Sequence, residues 1–142
     1  MGGSYLTTDG GRSWSLITGI NRAHQFAFSP ADPAVMLAGI FHAIIRSDDG
    51  GKTWREVSSG GVGMAVEFDP DFPDLAWASH GLWDRMQPGP AKYSTNAGAS
   101  FTNSAGLDGI FVWDFCVDPA SPKGADRKSV GEGKRVDFGG RR

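Results

Sequence analysis

Short runs in which every second residue is apolar alternate along this chain with clusters of Gly, Pro, Asp and Ser. His24, Phe26 and Phe28 lie on one face of such a run; Met64, Val66 and Phe68 repeat that face, and Trp113, Phe115 and Val117 repeat it again. A period of two predicts half-buried β-strands, because successive side chains leave a strand on opposite faces. The same reading places two strands at 4–7 and 14–17. It then places two sets of four, at 24–28, 35–39, 43–46 and 53–57 and at 64–68, 75–79, 92–94 and 101–103, with a last strand at 111–117.

Between the strands one pattern recurs three times. Thr7-Thr8-Asp9-Gly10-Gly11-Arg12-Ser13-Trp14, Ser47-Asp48-Asp49-Gly50-Gly51-Lys52-Thr53-Trp54 and Ser94-Thr95-Asn96-Ala97-Gly98-Ala99-Ser100-Phe101 all read hydroxyl, any, Asp or Asn, any, Gly, any, hydroxyl, large aromatic. The copies begin 40 and 47 residues apart. A second mark travels with the first: an apolar residue, then Pro two positions on and Pro again three beyond, at 28–33, 68–73 and 117–122. Periods of 40 to 50 residues built from short strands and turns indicate a radial or stacked β architecture.

The repeats differ in one place. Eight residues separate Gly39 from Ser47, but fifteen separate Ser79 from Ser94, and the seven extra account for the change in period. The added segment, 80–90, holds His80, Trp83, Asp84, Arg85, Pro88 and Pro90 and is expected to form a loop.

Composition narrows the function classes. The chain has 142 residues, 39% of them hydrophobic, with 21 Gly and 8 Pro, which suits one turn-rich domain better than disorder. Net charge is −2, and residues 126–142 hold six Lys or Arg against three Asp or Glu, so the body is acidic. An acidic body argues against a nucleic-acid groove. The single cysteine, Cys116, allows no internal disulfide, and no apolar run is long enough to span a membrane as a helix.

The hydroxyl-Asp-Gly motif resembles the Asp-box, or BNR repeat, of the β-propellers of sialidases, xyloglucan-type endoglucanases, sortilin-like receptors and photosystem assembly factors. The resemblance covers residues 4–122. It implies an all-β fold, a partial β-propeller of four-stranded antiparallel blades with Asp-box turns, in which two complete blades stand between incomplete ones over residues 1–125. Residues 126–142 resemble the translation of a sequencing adapter and are expected to be a non-native or disordered tail.

Each Asp-box reads as structural: Thr7, Asp9, Gly11 and Trp14; Ser47, Asp49, Gly51 and Trp54; Ser94, Asn96, Gly98 and Phe101. An Asp or Asn oxygen in a tight turn accepts backbone N–H bonds, Gly supplies the positive φ, and the aromatics bury area between sheets. Asn96 fits a turn and not an acid catalyst. In an up-and-down blade the Pro-marked turns and the Asp-boxes share one rim. Arg22, His24, His42, the added segment, Asp108, Trp113 and Asp114 fall on the other.

Candidate ligand-binding residues on that opposite rim are Trp83, Arg85, His80 and Arg22, with Trp83 suited to stacking on a sugar ring. Asp84 and Asp114 are the candidate carboxylates for glycoside chemistry. The sequence holds no motif onto which sialidase residues carry over, no metal signature and no cofactor motif. The resemblance implies a fragment of a carbohydrate-active, glycoside-hydrolase-like protein, itself lacking a complete active site. Its partners would be an oligosaccharide or polysaccharide and the remaining blades of an exported parent, periplasmic or extracellular. The alternative is a non-enzymatic binding or assembly scaffold.

Overall fold

The computed structural model describes residues 3–20 and 22–118, and the backbone of 127–131 and 134–138. Its strands are β1 (Tyr5–Leu6), β2 (Ser15–Leu16), β3 (Gln25–Phe28), β4 (Met36–Ile40), β5 (Ala43–Ser47), β6 (Arg55–Ser59), β7 (Val62–Phe68), β8 (Ala76–Leu82), β9 (Gln87–Ser94), β10 (Thr102–Asn103), β11 (Asp114–Val117), β12 (Arg127–Gly131) and β13 (Lys134–Phe138). They form sheets β1-β2, β3-β4-β5-β6, β7-β8-β9-β10 and β11-β12-β13, in which every neighbouring pair is antiparallel and consecutive in sequence. These up-and-down sheets are blades, and β7 contacts both β3 and β11, so the innermost strands lie side by side.

Alternation decides which neighbour each face meets. In the second sheet Phe26, Ala38, Ile40, Ala43 and Ile45 turn toward the first hairpin and enclose Ile17 and Ile20. Ala27, Leu37 and Ile44 turn the other way, against Val66, Phe68, Ala76 and Ala78 of the third sheet. The far face of that third sheet, with Ala65, Trp77 and Ala91, packs on Leu107, Val112 and Phe115. The blades approach closest where side chains vanish: a Cβ on Gly63 would stand 2.4 Å from the Ala43 carbonyl oxygen and 2.8 Å from the Gly39 Cα.

The inner-strand face predicted from periodicity is buried unevenly. Met64, Val66 and Phe68 are 9, 0 and 3% exposed, whereas Phe28, the equivalent of Phe68, is 49% exposed. Leu37 and Ile44 stand in the core cluster that covers Phe68, whereas the sheet on the other side of Phe28 holds, among the described residues, the two strands β1 and β2 alone. Trp14 likewise is 60% exposed, correcting the expectation that all three motif aromatics are buried between sheets; Trp54 and Phe101 are half-buried against their clusters.

One further expectation is corrected. The added segment is no loop: β8 runs on through His80 to Leu82, β9 starts at Gln87, and the seven residues lengthen a hairpin whose pairing continues through Gly81↔Pro88 and Leu82↔Gln87 after a bulge. Alternating main-chain bonds give an insertion somewhere to go that satisfies its own backbone. Of the segment 126–142, expected to be a non-native or disordered tail, the described backbone of 127–131 and 134–138 forms β12 and β13, with Phe115↔Ser129 and Ser129↔Val136 in register. An open strand edge such as that of β11 accepts main-chain partners with little regard to side chains, whatever the origin of the segment. The third Pro-marked turn, at 119–122, lies outside the described residues, as do positions 126, 132–133 and 139–142. Among the described residues no helix is long and apolar enough to cross a membrane.

Candidate functional site

The Asp-box rim is a set of closed hydrogen-bond circuits. Ser47 Oγ donates to Asp49 Oδ1 at 2.8 Å and accepts from Gly51 N–H at 2.8 Å; Asp49 also accepts from the N–H groups of Lys52 and Thr53 and from the Thr53 hydroxyl at 2.6 Å. Trp54 Nε1 donates to Gly51 O at 3.0 Å. Thr7, Asp9, Gly11, Ser13 and Trp14 repeat this at 2.6–3.1 Å. These donors, with the side-chain hydroxyls of Thr53 and Ser13 foremost, hold the carboxyls of Asp49 and Asp9 down at about 2. In the third copy Asn96 Oδ1 accepts from Ser94 Oγ and Ser100 N–H, while its Nδ2 donates to Ser100 Oγ at 2.8 Å. Both carboxylate oxygens of Asp9 and of Asp49 thus accept hydrogen bonds from within their own turn.

The Asp-boxes and Pro-marked turns meet on this rim. Gly50 N–H donates to Ala34 O at 2.9 Å, and Ala97 N–H to Asp74 O at 2.8 Å. Arg46, 9% exposed, donates to Asp48 and to the Ala97 carbonyl of the next blade, tying one Asp-box to another.

The opposite rim carries the lengthened hairpin. Its tip is a 3₁₀ turn, Trp83–Arg85, closed by Met86 N–H to Trp83 O at 3.4 Å, with Met86 left-handed at φ 50°. Trp83 is 54% exposed, and Asp84 and Arg85 project beside it with 4.0 Å between Asp84 Oδ2 and Arg85 Nε. His80, taken from sequence as a ligand contact, is instead 1% exposed at the hairpin's base. Its Nε2 lies 2.9 Å from Ser58 Oγ and its Nδ1 3.2 Å from Gly61 O. A carbonyl only accepts, so Nδ1 carries the proton and Nε2 accepts from Ser58. Burial holds the imidazole below its ordinary value; the Gly61 bond opposes that shift and the charge of Lys92 adds to it. Lys92 Nζ donates to Ser59 O at 2.8 Å, clamping the returning strand to the preceding blade.

Beside this hairpin runs a cleft of about 440 Å³, lined on one wall by Pro88, Gly89, Pro90 and Ala91 and on the other by Asn103, Ser104, Leu107, Asp108 and Gly109. Arg22, at φ 53°, stands on the same rim one blade back, its guanidinium 5.5 Å over the Phe41 ring, and so is not brought together with Trp83 in any described contact. His24 is exposed on the chain entering β3 and His42 in the β4–β5 turn. Trp113 is 43% exposed and tilts against Phe111 at 4.7 Å.

Asp114 lies on the innermost strand β11, not near the hairpin tip in sequence or element, and accepts from Gln25 Nε2 at 3.2 Å. Gln25 Oε1 in turn accepts from Val66 N–H at 3.0 Å, so one amide links the inner strands of three blades. Burial raises the Glu67 carboxyl above the ordinary carboxylate range, and Asp114 adds to the shift. Gln25, Ser58 and Lys92 escaped the sequence reading; a polar side chain in an otherwise apolar strand was the one available signal, and it marks Gln25.

The model of the BNR/Asp-box repeat matches residues 5–16 and 45–56, the first two of the three circuits. No curated protein sequence matches the chain. Among solved structures, an ancestral GH74 enzyme is similar over 89% of this chain and 18% of its own length, at 19% identity and a TM-score of 0.74. The GH74 xyloglucanase from Xanthomonas campestris is similar over 92% of this chain and 23% of its own, at 16% identity and a TM-score of 0.70. The Niastella koreensis GH74 enzyme is similar over the same shares at 16% identity and a TM-score of 0.64. At these identities the likeness is one of fold, and the chain spans about a fifth of each of these proteins.

Proposed function

From Asp-box repeats set on propeller blades, we propose that this chain is a segment of a carbohydrate-active, glycoside-hydrolase-like propeller that contributes a polysaccharide-binding rim and no complete active site. The observation that carries this reading is the hairpin tip: an exposed indole with a carboxylate and a guanidinium at its side, on a strand pair anchored at its base by a buried histidine. A sugar presents apolar C–H faces and hydroxyl edges, and an indole face beside polar groups meets both. The propeller frame is shared with solved enzymes described as GH74, one of them a xyloglucanase. A glycosidase needs two carboxylates flanking the scissile bond. Asp84 at the tip and Asp114 on β11 belong to different elements, and Asp114 is engaged by Gln25, so this reading gives the chain binding and not cleavage.

Titration of the chain and its Trp83→Ala variant with plant and bacterial oligosaccharides tests the proposal. Loss of the indole should weaken binding by roughly 5- to 150-fold, as for an aromatic anchor, with an unchanged melting temperature. Equal affinities, or no binding by the unaltered chain, would leave the scaffold reading in its place.

A further inference from the structure

The Trp83 tip ends only two paired positions above the cleft. Leu82 pairs with Gln87 and Gly81 with Pro88, so the backbone at Trp83 stands roughly 7 Å along the hairpin from Pro88, where the cleft begins. The volume of about 440 Å³ falls within the ~300–1,000 Å³ of small-molecule sites.

Both walls are held. The Pro88–Ala91 wall lies in β9, where Gly89 has no room for a side chain because a Cβ would come within 2.6 Å of the His80 carbonyl. The facing wall is a turn closed by Ile110 N–H to Leu107 O at 3.1 Å, with Gly109 at φ 73° and Leu107 fixed in the core at 2% exposed. That turn sets the exposed Asp108 at its crest. Among the lining residues Asp108 is the one charged side chain, Asn103 adds an amide, and Pro88, Pro90 and Leu107 supply apolar surface.

We propose that this cleft is a second sugar-contact site, taking an unit of the same uncharged polysaccharide chain that stacks on Trp83, with Asp108 and Asn103 accepting and donating hydrogen bonds to its hydroxyls. The inference rests on the carbohydrate reading of the hairpin and adds where the polymer runs: from the tip down the returning strand and across to the blade connection. With a carboxylate as the one charged group among its lining residues, the cleft suits neutral hydroxyls and disfavours uronic acids, and so selects by charge. Ligands long enough to reach both points should bind more tightly than those that fill one.

The test is an amide and indole chemical-shift titration of the ¹⁵N-labelled chain with xyloglucan oligosaccharides and cello-oligosaccharides of increasing length, and with oligogalacturonate. The expected result is that the Trp83 indole moves with every neutral oligosaccharide, while the amides of Asn103, Asp108 and Gly109 move only with the longer ones. Asp108→Ala and Asn103→Ala should each cancel the gain with length, about tenfold for one hydrogen-bonding group, and leave short-ligand affinity unchanged. Oligogalacturonate should bind more weakly than its neutral counterpart at equal length. Indole shifts with a silent 103–109 segment at every length would overturn the cleft and leave the hairpin reading standing. Silence of both with every oligosaccharide would overturn the two together.

Discussion

The hairpin that carries the proposed site depends on one buried histidine, and His80→Ala measures how much. The imidazole is 1% exposed, and its removal leaves the Ser58 hydroxyl, in a residue 6% exposed, without the Nε2 acceptor that lies 2.9 Å away. An orphaned buried polar group costs about 1–3 kcal/mol, and truncating a buried ring adds a cavity at a site closed in by Pro90 and Gly60. The two together come to about 4 kcal/mol, a large share of the 5–15 kcal/mol typical of a domain. Ser58→Ala removes only the donor and should cost about 1–2 kcal/mol. Protonation acts on the same contact, because an imidazolium Nε2 has no lone pair for Ser58. With the folded value below the ordinary ~6.5, the unfolded chain takes the proton first as pH falls. The histidine's contribution is therefore complete above pH about 6.5 and erodes below it. Urea denaturation followed by tryptophan fluorescence at pH 7.5 and 5.5 reads both effects. A His80→Ala variant within about 0.5 kcal/mol of the parent, or one that keeps the parent's loss of stability between those pH values, would refute the anchoring role.

Other perturbations address the frame. In the Asp-boxes, Asp49→Asn should keep the turn, as Asn96 does in the third copy, whereas Asp49→Ala loses every bond the carboxylate accepts and should melt lower. With Asp9 and Asp49 held at about 2, their stabilisation is present above the ordinary ~4 and is lost as pH falls from there through about 2; the double Asn variant should lose less over that interval, and an unchanged acid transition would contradict the circuits. Gly63→Ala places a Cβ 2.4 Å from the Ala43 carbonyl oxygen and should cost about 1–3 kcal/mol by forcing two blades apart. Gly109→Ala, where the added Cβ meets nothing but φ is 73°, separates backbone strain from that contact, and equal stability of the Gly63 variant and the parent would show that the blades yield freely.

The frame was legible because it is local. Strand alternation in 24–28, 64–68 and 113–117 and the hydroxyl-Asp-Gly turns are decided by side chains within eight residues of one another, and the turn bonds span at most four positions. The rim assignment followed from up-and-down connectivity alone. Gly50 N–H bonded to Ala34 O joins Asp-box to Pro-marked turn on one side; Arg22 over Phe41 joins blade connection to strand-two-to-three turn on the other.

What the sequence hid is what depends on register between distant strands. The added segment reads as a loop because its Pro, Gly and charged residues break the apolar alternation, yet backbone pairing carried β8 and β9 through it, and a bulge between Ser79 and Gly81 came with it. Alternation, not the bulge, decides the fate of His80. In β8, Trp77 and Ser79 face the following blade, where the Ser79 hydroxyl bonds Val112 O, so His80 shares the face of Ala76 and Ala78 and meets Ser58 and Gly61 on the side of the preceding one. A histidine grouped with Trp83 by its place in the sequence is thereby a support for the tip and not part of its surface. Asp108 shows the reverse. Connectivity places it on the rim, but it gains its setting only because the chain leaving β10 returns past Pro88 and Pro90, so that a turn fixed by Leu107 and Gly109 faces a strand twenty residues earlier. Binding surfaces on repeat folds arise in this way, where a departure in one repeat meets the ordinary connection of the next.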